Sequence, residues 1–296
     1  MDESSRRAVL CGLGAGLAGV LAGCAGRAPV TGTDRPTETQ APSTPEDSTA
    51  DPAFWGWLPR PAAVGGDYSF GSVAVPDARS AGLARDRLAP SRFTPPQVHD
   101  VLSSTTDLLT VSTGSVAGGI LQGDFDPDDL SSALESAGFA PGEHGVYTGE
   151  RLAFAPESSL IRWADDPAGP AALVGVLGEQ VGASGEGYVT TTPPVERALS
   201  AIHTTPSRFG RPIDVDGGPF DTARFLANGI GPSGESIGWT SALAFDGTVP
   251  EDAAAGYRQQ FADRAGFENV RARTEAGLLV VEAETSADRA TATQPL

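Results

Sequence analysis

Two pairs of similar segments, in the same order in each half of the chain, constrain the fold more than any other feature of the sequence. The first pair is Thr94-Pro95-Pro96 and Thr192-Pro193-Pro194, each followed by spaced apolar residues. A Thr cap with Pro in the first turn is typical of the start of a helix. The second pair spans residues 119–154 and 241–283. We therefore expect an internal duplication.

The second pair of segments has the same pattern in each half: a strand, an acidic helix that begins near a Pro, a Gly-Phe and a hairpin. The helix starts are Asp126-Pro127-Asp128-Asp129 and Val249-Pro250-Glu251-Asp252. The helix ends are Gly138-Phe139 and Gly266-Phe267. Acidic residues stabilise the positive end of a helix dipole, and Gly is a common residue just past the last turn. Both patterns therefore predict a helix.

Further strands complete the predicted fold. In the first half we expect strands near residues 68–75, 108–112 and 118–122. In the second half we expect them near residues 171–177 or 188–191, then 223–227 and 237–245. The order β-α-β-β-α-β with one extra strand is the ferredoxin-like split unit. The sequence therefore predicts an α+β fold with two tandem ferredoxin-like modules, residues 54–165 and 166–286, followed by a disordered tail, residues 287–296.

The chain is strongly acidic. It has 38 Asp and Glu against 20 basic residues, none of which is Lys, for a net charge of −18. Such a charge repels nucleic acid, so we expect no nucleic-acid partner. The self-repulsion is screened at molar salt, where the Debye length is about 3 Å. The composition is typical of proteins from extreme halophiles, and a source with GC-rich DNA is the alternative.

The N-terminus has the three parts of an export signal. Arg6 and Arg7 precede an apolar stretch, residues 8–22, which ends in Gly23 and Cys24. This stretch is shorter than the roughly 20 residues that a membrane-spanning helix needs, and it contains several glycines. A cleaved signal peptide is therefore the favoured interpretation, and an uncleaved anchor helix is the alternative.

Two motifs in this segment resemble those of a known class of exported protein. Arg6-Arg7 resembles the twin-arginine export motif, and Leu21-Ala22-Gly23-Cys24 resembles a lipobox. Residues 1–24 are thus similar to those of twin-arginine-exported lipoproteins of haloarchaeal type. The resemblance implies a signal peptide, residues 1–23, and a lipid on Cys24 that holds the protein to the outer face of the cytoplasmic membrane.

The residues after Cys24 have the composition of a linker. Residues 24–53 are rich in Thr, Pro, Asp and Glu and contain almost no large apolar residue. Such a segment cannot bury enough apolar surface to fold, so we expect a disordered tether between the membrane and the folded part.

A search for catalytic and metal-binding motifs gives little. The three histidines, His99, His144 and His203, are not spaced like metal ligands. Cleavage of the signal peptide would remove Cys11 and leave Cys24 as the only cysteine. A zinc site needs three or four N or S ligands. A chain without Lys can form neither a phosphate-loop lysine nor a Schiff base. We predict no catalytic residue and no cofactor.

One acidic segment has the spacing of a calcium loop. Asp124, Asp126, Asp128 and Glu135 match ligand positions of such a loop, but Asp129 replaces the Gly that its sharp turn requires. The second interpretation is structural, with Asp126 as the cap of a helix and Asp128 in its first turn. Calcium is therefore a weak candidate for a metal.

These observations favour a surface-anchored, non-catalytic lipoprotein that acts as a binding or accessory component of the cell envelope. The expected partners are the membrane, through the lipid, and an envelope protein. One alternative is an extracytoplasmic hydrolase, which would need two carboxylates about 5–10 Å apart in a cleft. Another is the solute-binding lipoprotein of a transporter, which would need a doubly wound sheet in each lobe.

Overall fold

The computed structural model describes residues 53–83, 98, 100–114, 116–180, 187–203, 205–214 and 218–292. Pro52–Leu296 forms one compact unit. The predicted export signal at Arg6 and Arg7, the predicted lipid site at Cys24 and the tether lie outside the described residues. The first predicted Thr-Pro-Pro helix also lies largely outside them.

Twelve strands form one sheet, and every pair of neighbouring strands is antiparallel. The strands are β1 (Ser69–Ala74), β2 (Thr105–Thr113), β3 (Val116–Gly123), β4 (Ala140–Pro141), β5 (Tyr147–Thr148), β6 (Leu152–Pro156), β7 (Leu160–Asp165), β8 (Ser207–Pro212), β9 (Ala223–Ser233), β10 (Ser236–Phe245), β11 (Glu268–Glu275) and β12 (Leu278–Thr285).

The helices lie between the strands and after the last one. They are α1 (Val75–Ser80), α2 (Pro127–Ser136), α3 (Pro170–Gln180), α4 (Tyr188–Thr191), α5 (Pro193–Ser200), α6 (Glu251–Ala262) and α7 (Ala287–Ala292). Short 3₁₀ turns span Ala53–Trp57, Pro61–Val64, Val101–Ser104 and Glu143–Gly145. Within the described part of the chain, every helix is too short or too polar to cross a membrane.

Counted outward from the central pair β1 and β8, the first five strands have the same order in both halves, and the first half has two further strands, β5 and β4. The order is β11-β12-β10-β9-β8-β1-β2-β3-β7-β6-β5-β4. Starting from the central pair β1 and β8, each half has three consecutive strands, then the last strand of that half, then its hairpin partner. In each half a helix, α2 or α6, connects the third strand to the outer strands. The two halves therefore share a strand order but contribute to one sheet.

The front face of the sheet, defined as the face covered by α3, α4 and α5, carries a core that crosses both halves. Leu109 and Ile120 from the first half and Phe225 and Ala242 from the second belong to one cluster of buried side chains. The helices contribute Leu173, Val174, Leu177, Tyr188, Val189, Val195, Ala198 and Leu199 to this cluster. Burial of apolar side chains from both halves against the same layer joins them into a single core.

The back face, opposite to it, has a separate cover over each half. In the first half, Leu130 and Leu134 of α2 pack on Leu121 and Ile161 of the sheet. In the second half, the aromatic rings of Phe220, Trp239, Tyr257, Phe261 and Phe267 contact one another edge to face. Helices α2 and α6 thus play equivalent parts in the two halves.

The prediction of an α+β fold with two tandem ferredoxin-like modules is wrong, because the described part of the chain is mostly β and forms one large antiparallel sheet. Strand β1 pairs with β8, so residues 54–165 and 166–286 do not form separate sheets. The physical reason lies in β1, which buries Phe70 and Ser72 on one face and Val73 on the other. A strand that is buried on both faces lies inside a sheet rather than at its edge, and here the second half provides its other neighbour.

Two local predictions in the second half also differ from the structure. Residues 171–177 and 188–191, the two alternative positions expected for one strand, lie in α3 and α4. Pro170 begins α3, and Leu173, Val174 and Leu177 share its buried side, so the spacing is helical rather than alternating. Ala287–Ala292, expected in a disordered tail, forms α7.

Candidate functional site

The acidic residues of the predicted calcium loop lie before and along helix α2: Asp124 precedes the helix cap, and Asp128 and Glu135 lie within the helix. Asp126 is the N-cap of this helix, and its Oδ1 accepts hydrogen bonds from the backbone N–H groups of Asp128 (2.9 Å) and Asp129 (3.1 Å). Glu135 lies in the last turn, about 12 Å along the helix axis from Pro127. A single calcium ion cannot bind carboxylates at both ends of this helix, because calcium–oxygen bonds are about 2.3–2.6 Å long.

The hydrolase alternative needs two carboxylates in a cleft, and the buried carboxylate of the described residues has a basic partner instead. Asp165 is the one carboxylate there that is fully buried, and it pairs with Arg151, whose Nε and Nη2 both lie 3.0 Å from its Oδ1. The described residues contain no group of three or more His, Cys, Asp or Glu side chains that could hold a metal ion. Asp165 therefore has a structural partner rather than a second acid.

The histidines do not converge on a site. His144 is exposed in a 3₁₀ turn with a φ of 56°, and exposed His203 places Nδ1 2.6 Å from the carbonyl oxygen of Ser200. His99 lies outside the described residues. Trp55 and Trp57 are half-buried against the front core, so they attach the N-terminal turn to the sheet. None of these side chains forms a catalytic arrangement with another described residue.

The most unusual polar arrangement lies at the centre of the sheet. We call the pairing of β1 with β8, residues 70–73 with residues 207–210, the seam, because it joins the two halves. Gly210 lies opposite Phe70, and a Cβ there would be 2.5 Å from that ring and 2.9 Å from the ring of Phe225. The absence of a side chain at Gly210 allows Phe70 and Phe225 to stack 6.3 Å apart across β8.

Two hydrogen-bonding groups at the seam are buried without a partner. They are Ser72 Oγ and Arg208 Nε, which we call the seam donor cluster. Ser72 and Arg208 are directly opposite in the β1–β8 register, so both side chains project from the front face. The guanidinium carbon of Arg208 lies 4.9 Å from the centroid of the Phe54 ring. Trp55 follows Phe54 directly, and the two rings meet edge to face at 6.4 Å.

The charge of Arg208 is only partly compensated. Burial lowers the pKa of the Arg208 guanidinium to about 10, although the carboxylates of Asp107 and Asp77 act to raise it. Its Nη2 donates to the carbonyl oxygen of His203 at 2.8 Å. Among the ion pairs of the described residues, none joins Arg208 to either carboxylate. The guanidinium is thus held by a ring and a carbonyl rather than by a nearby acid.

The sequence did not point to the seam donor cluster. Arg208 lies in Ser-Arg-Phe-Gly-Arg-Pro, which has neither clear alternation nor a known motif. Ser72 is one of many serines, and only the pairing of β1 with β8 places it opposite Arg208. A long-range strand pairing leaves no local mark in the sequence, so the structure was needed to find this cluster.

Comparison with known proteins identifies a related fold and no family. No protein-family model and no curated protein matches the chain. Among solved structures, the chain is similar to crystal form III of TP0453, a Treponema lipoprotein, with a TM-score of 0.54 and 12% identity over 83% of this chain and 98% of that chain. Crystal form I of the same protein gives a TM-score of 0.53 and 13% identity over 83% and 97%.

The chain shares its fold with TP0453. At this level of identity the similarity shows the fold alone. Twin-arginine export and the lipid on Cys24 stay predictions.

Proposed function

We propose that this chain is an envelope lipoprotein, held to the outer face of the cytoplasmic membrane by a lipid on Cys24, and that its folded part is a non-catalytic binding or accessory module. The observation that carries the proposal is the change at residue 52 from a linker composition to a folded unit. The residues before it include a lipobox-like cysteine and an acidic Thr/Pro segment, and Pro52–Leu296 forms one compact unit.

The length of the acidic segment suits a tether. A fully extended chain from Cys24 to Pro52 reaches at most roughly 90 Å. This is several times the size of a membrane headgroup layer, so the module could reach a partner that is not itself in contact with the bilayer. Like charges along such a linker favour extended conformations.

The described side chains lend no support to either of the two alternatives. The buried carboxylate, Asp165, is neutralised by Arg151, so it provides no pair of acids for hydrolysis. The antiparallel sheet also differs from the doubly wound parallel lobes that the solute-binding alternative requires. Neither alternative gains support from a described site.

The anchor is tested by substitution of the two cysteines in the native host. Cys24→Ser should move the protein from the membrane fraction to the medium or leave an unprocessed precursor, and the lipid mass should disappear from the N-terminal peptide. Cys11→Ser is the matched control, because Cys11 lies in the segment that cleavage would remove. Membrane retention of Cys24→Ser at the wild-type level would contradict the anchor.

The accessory role is tested by cross-linking on intact cells at native salt, followed by mass spectrometry of proteins recovered from the membrane fraction. We expect one dominant envelope protein, recovered with wild type and Cys11→Ser and lost with Cys24→Ser. Turnover of a substrate by the purified chain, or recovery of the same set of proteins with all three variants, would contradict the proposal.

A further inference from the structure

Two segments near the start of the folded unit contain no charged residue. Residues 61–66 and 167–178 have no Asp, Glu, Arg, Lys or His, although 20% of the chain is charged. Helix α3 occupies most of the second segment and contacts both N-terminal 3₁₀ turns, Ala53–Trp57 and Pro61–Val64. The exposed residues of the two segments, which we call the neutral surface, are Ala62, Ala63, Gly65, Pro167, Ala168, Ala171, Ala172 and Gly175.

The outer side of α3 is open as well as uncharged. The helix buries Leu173, Val174 and Leu177 in the front core, whereas Ala172 and Gly175 are exposed. A Cβ at Gly175 would meet no described atom within 4 Å. A surface helix normally places charged and polar side chains on the side away from the core. The outer side of α3 departs from this pattern in a strongly acidic chain.

Charge and connectivity decide what the neutral surface faces. The turn that begins at Ala53 continues directly into residues 24–52, which start at the predicted lipid site. A lipid on Cys24 would keep the folded unit near the bilayer at an effective concentration of about a millimolar, so weak docking is sufficient. The rest of the molecule carries the acidic excess, which negatively charged headgroups repel.

We propose that the neutral surface docks on the lipid bilayer, with α3 and the two N-terminal turns against the headgroup layer. The turn in contact with α3 carries Trp55 and Trp57, which are half-buried. Trp is favoured at the boundary between membrane and water, because its ring is apolar and its N–H is polar. This inference rests on the proposed function, since the lipid brings the module to the bilayer.

The test reproduces the tether without the cell's own lipid. The mature chain, residues 24–296, has Cys24 as its one thiol. It is coupled through Cys24 to a maleimide lipid in phosphatidylcholine vesicles that also contain a dansyl-headgroup lipid. We expect energy transfer from tryptophan to dansyl, because docking places Trp55 and Trp57 next to the headgroups. A module that moves freely on its tether spends most of its time too far away for transfer.

A charge on the neutral surface should prevent docking. Ala172→Glu should remove most of the energy transfer, because a carboxylate loses water when the surface meets the lipid. Ala62→Glu, on the turn, is a second variant with the same expected result. Ala255→Glu is the matched control: Ala255 is exposed on α6, over the back face, and the variant adds the same charge. The control should keep the wild-type transfer.

The dependence on salt separates this docking from attraction between charges. In mixed phosphatidylcholine and phosphatidylglycerol vesicles, transfer should rise from low to molar salt, because salt screens the repulsion between the acidic molecule and the lipid. Docking through basic residues would instead weaken as salt is added.

Transfer that is equal in wild type and both patch variants, or that falls as salt is raised, would overturn the proposal. A dimer in sedimentation without vesicles that Ala172→Glu dissociates would also overturn it, because the surface would then bind a second copy. Docking of the coupled chain while Cys24→Ser stays in the membrane of the native host would overturn the lipid anchor alone. Loss of the anchor in Cys24→Ser without docking of the coupled chain would overturn this inference alone.

Discussion

Close contacts at single glycines set the distance between the layers of the molecule. Gly119 in β3 is the clearest case, because a Cβ there would clash with the carbonyl oxygen of Leu109 and lie 2.8 Å from Nε1 of Trp163. The neighbouring Gly118 faces the other way, where a Cβ would lie 2.9 Å from Cδ2 of Leu173 in α3. Two consecutive glycines thus allow close packing on both faces of one strand.

The first prediction concerns Gly119. Gly119→Ala should lower the free energy of unfolding by about 1–3 kcal/mol, because either β3 or Trp163 must move. Gly175→Ala is the control: Gly175 is exposed on α3 with nothing within 4 Å of its Cβ position, and Ala there should stabilise by up to about 1 kcal/mol. Urea denaturation measures both. If Gly119→Ala were as stable as the wild type, β2 and β3 would have to be farther apart than the structure shows.

Three tyrosines make stability depend on alkaline pH. Burial raises the pKa of Tyr188 to about 12, with a smaller effect of Asp67 in the same direction. Burial also raises the pKa of Tyr68, with a smaller effect of Tyr188, and that of Tyr257, where the hydrogen bond with Ser241 opposes it. In the unfolded chain these groups ionise near pH 10.

The folded state therefore keeps protons that the unfolded state loses above about pH 10. The contribution is complete below pH 10 and is lost as the pH rises through 12. The lowered pKa of Arg208 changes stability in the opposite direction over the same pH range. Because it is a single group, the three tyrosines outweigh it. Tyrosinate absorbance during alkaline unfolding should rise with loss of structure, and Tyr188→Phe should make the stability loss shallower. Ionisation of these tyrosines in the folded protein near pH 10 would contradict the account.

At the scale of single elements, both edges of the sheet resist pairing with another chain. Strand β4 has two residues, one of them Pro141. Strand β11 is exposed along almost its whole length, but it carries Glu268, Arg271, Arg273 and Glu275 and has an irregular register between the first two. Short strands, Pro, charges and bulges are the features by which sheets avoid edge-to-edge association. The remaining surface for a partner is therefore the helical layers and loops.

The cap of α2 gives a prediction that also separates the two interpretations of its acidic residues. Asp126→Ala should cost about 0.5–2 kcal/mol, whereas Asp126→Asn should be nearly neutral, because Asn caps as well as Asp. Calcium should leave the thermal midpoint of all three proteins unchanged. A calcium-dependent rise in the midpoint that Asp126→Asn removes would restore the metal interpretation.

For the molecule as a whole, the sequence predicted the parts with strong local patterns and missed what depends on distant pairing. Helices α2 and α5 begin at a Pro after an Asp or Thr, as predicted. Strands β2, β3 and β10 lie where their apolar residues indicated. Strand β8 was missed because Gly210 and Pro212 interrupt its pattern, and only β1 and β9 make it a strand. A short apolar run such as that of α3 does not distinguish a helix from a strand without its neighbours.

The same limit applies to the candidate site. The Asp126 cap has a local signature, with Pro at the next position, and could be predicted as one of two interpretations. The seam donor cluster has none, because Ser72 and Arg208 come from two separate parts of the chain. Their proximity depends on the pairing of the two halves, which is the central structural claim.

Hydrogen exchange of the full chain at increasing urea concentration, measured by mass spectrometry, tests that claim most directly. If the seam and the shared front core join the halves, then amides of β3 in the first half and β10 in the second should open with the same free energy and lose protection at the same urea concentration. Loss of protection across β1–β7 while β8–β12 stay protected, or the reverse, would show two independent modules and contradict the account.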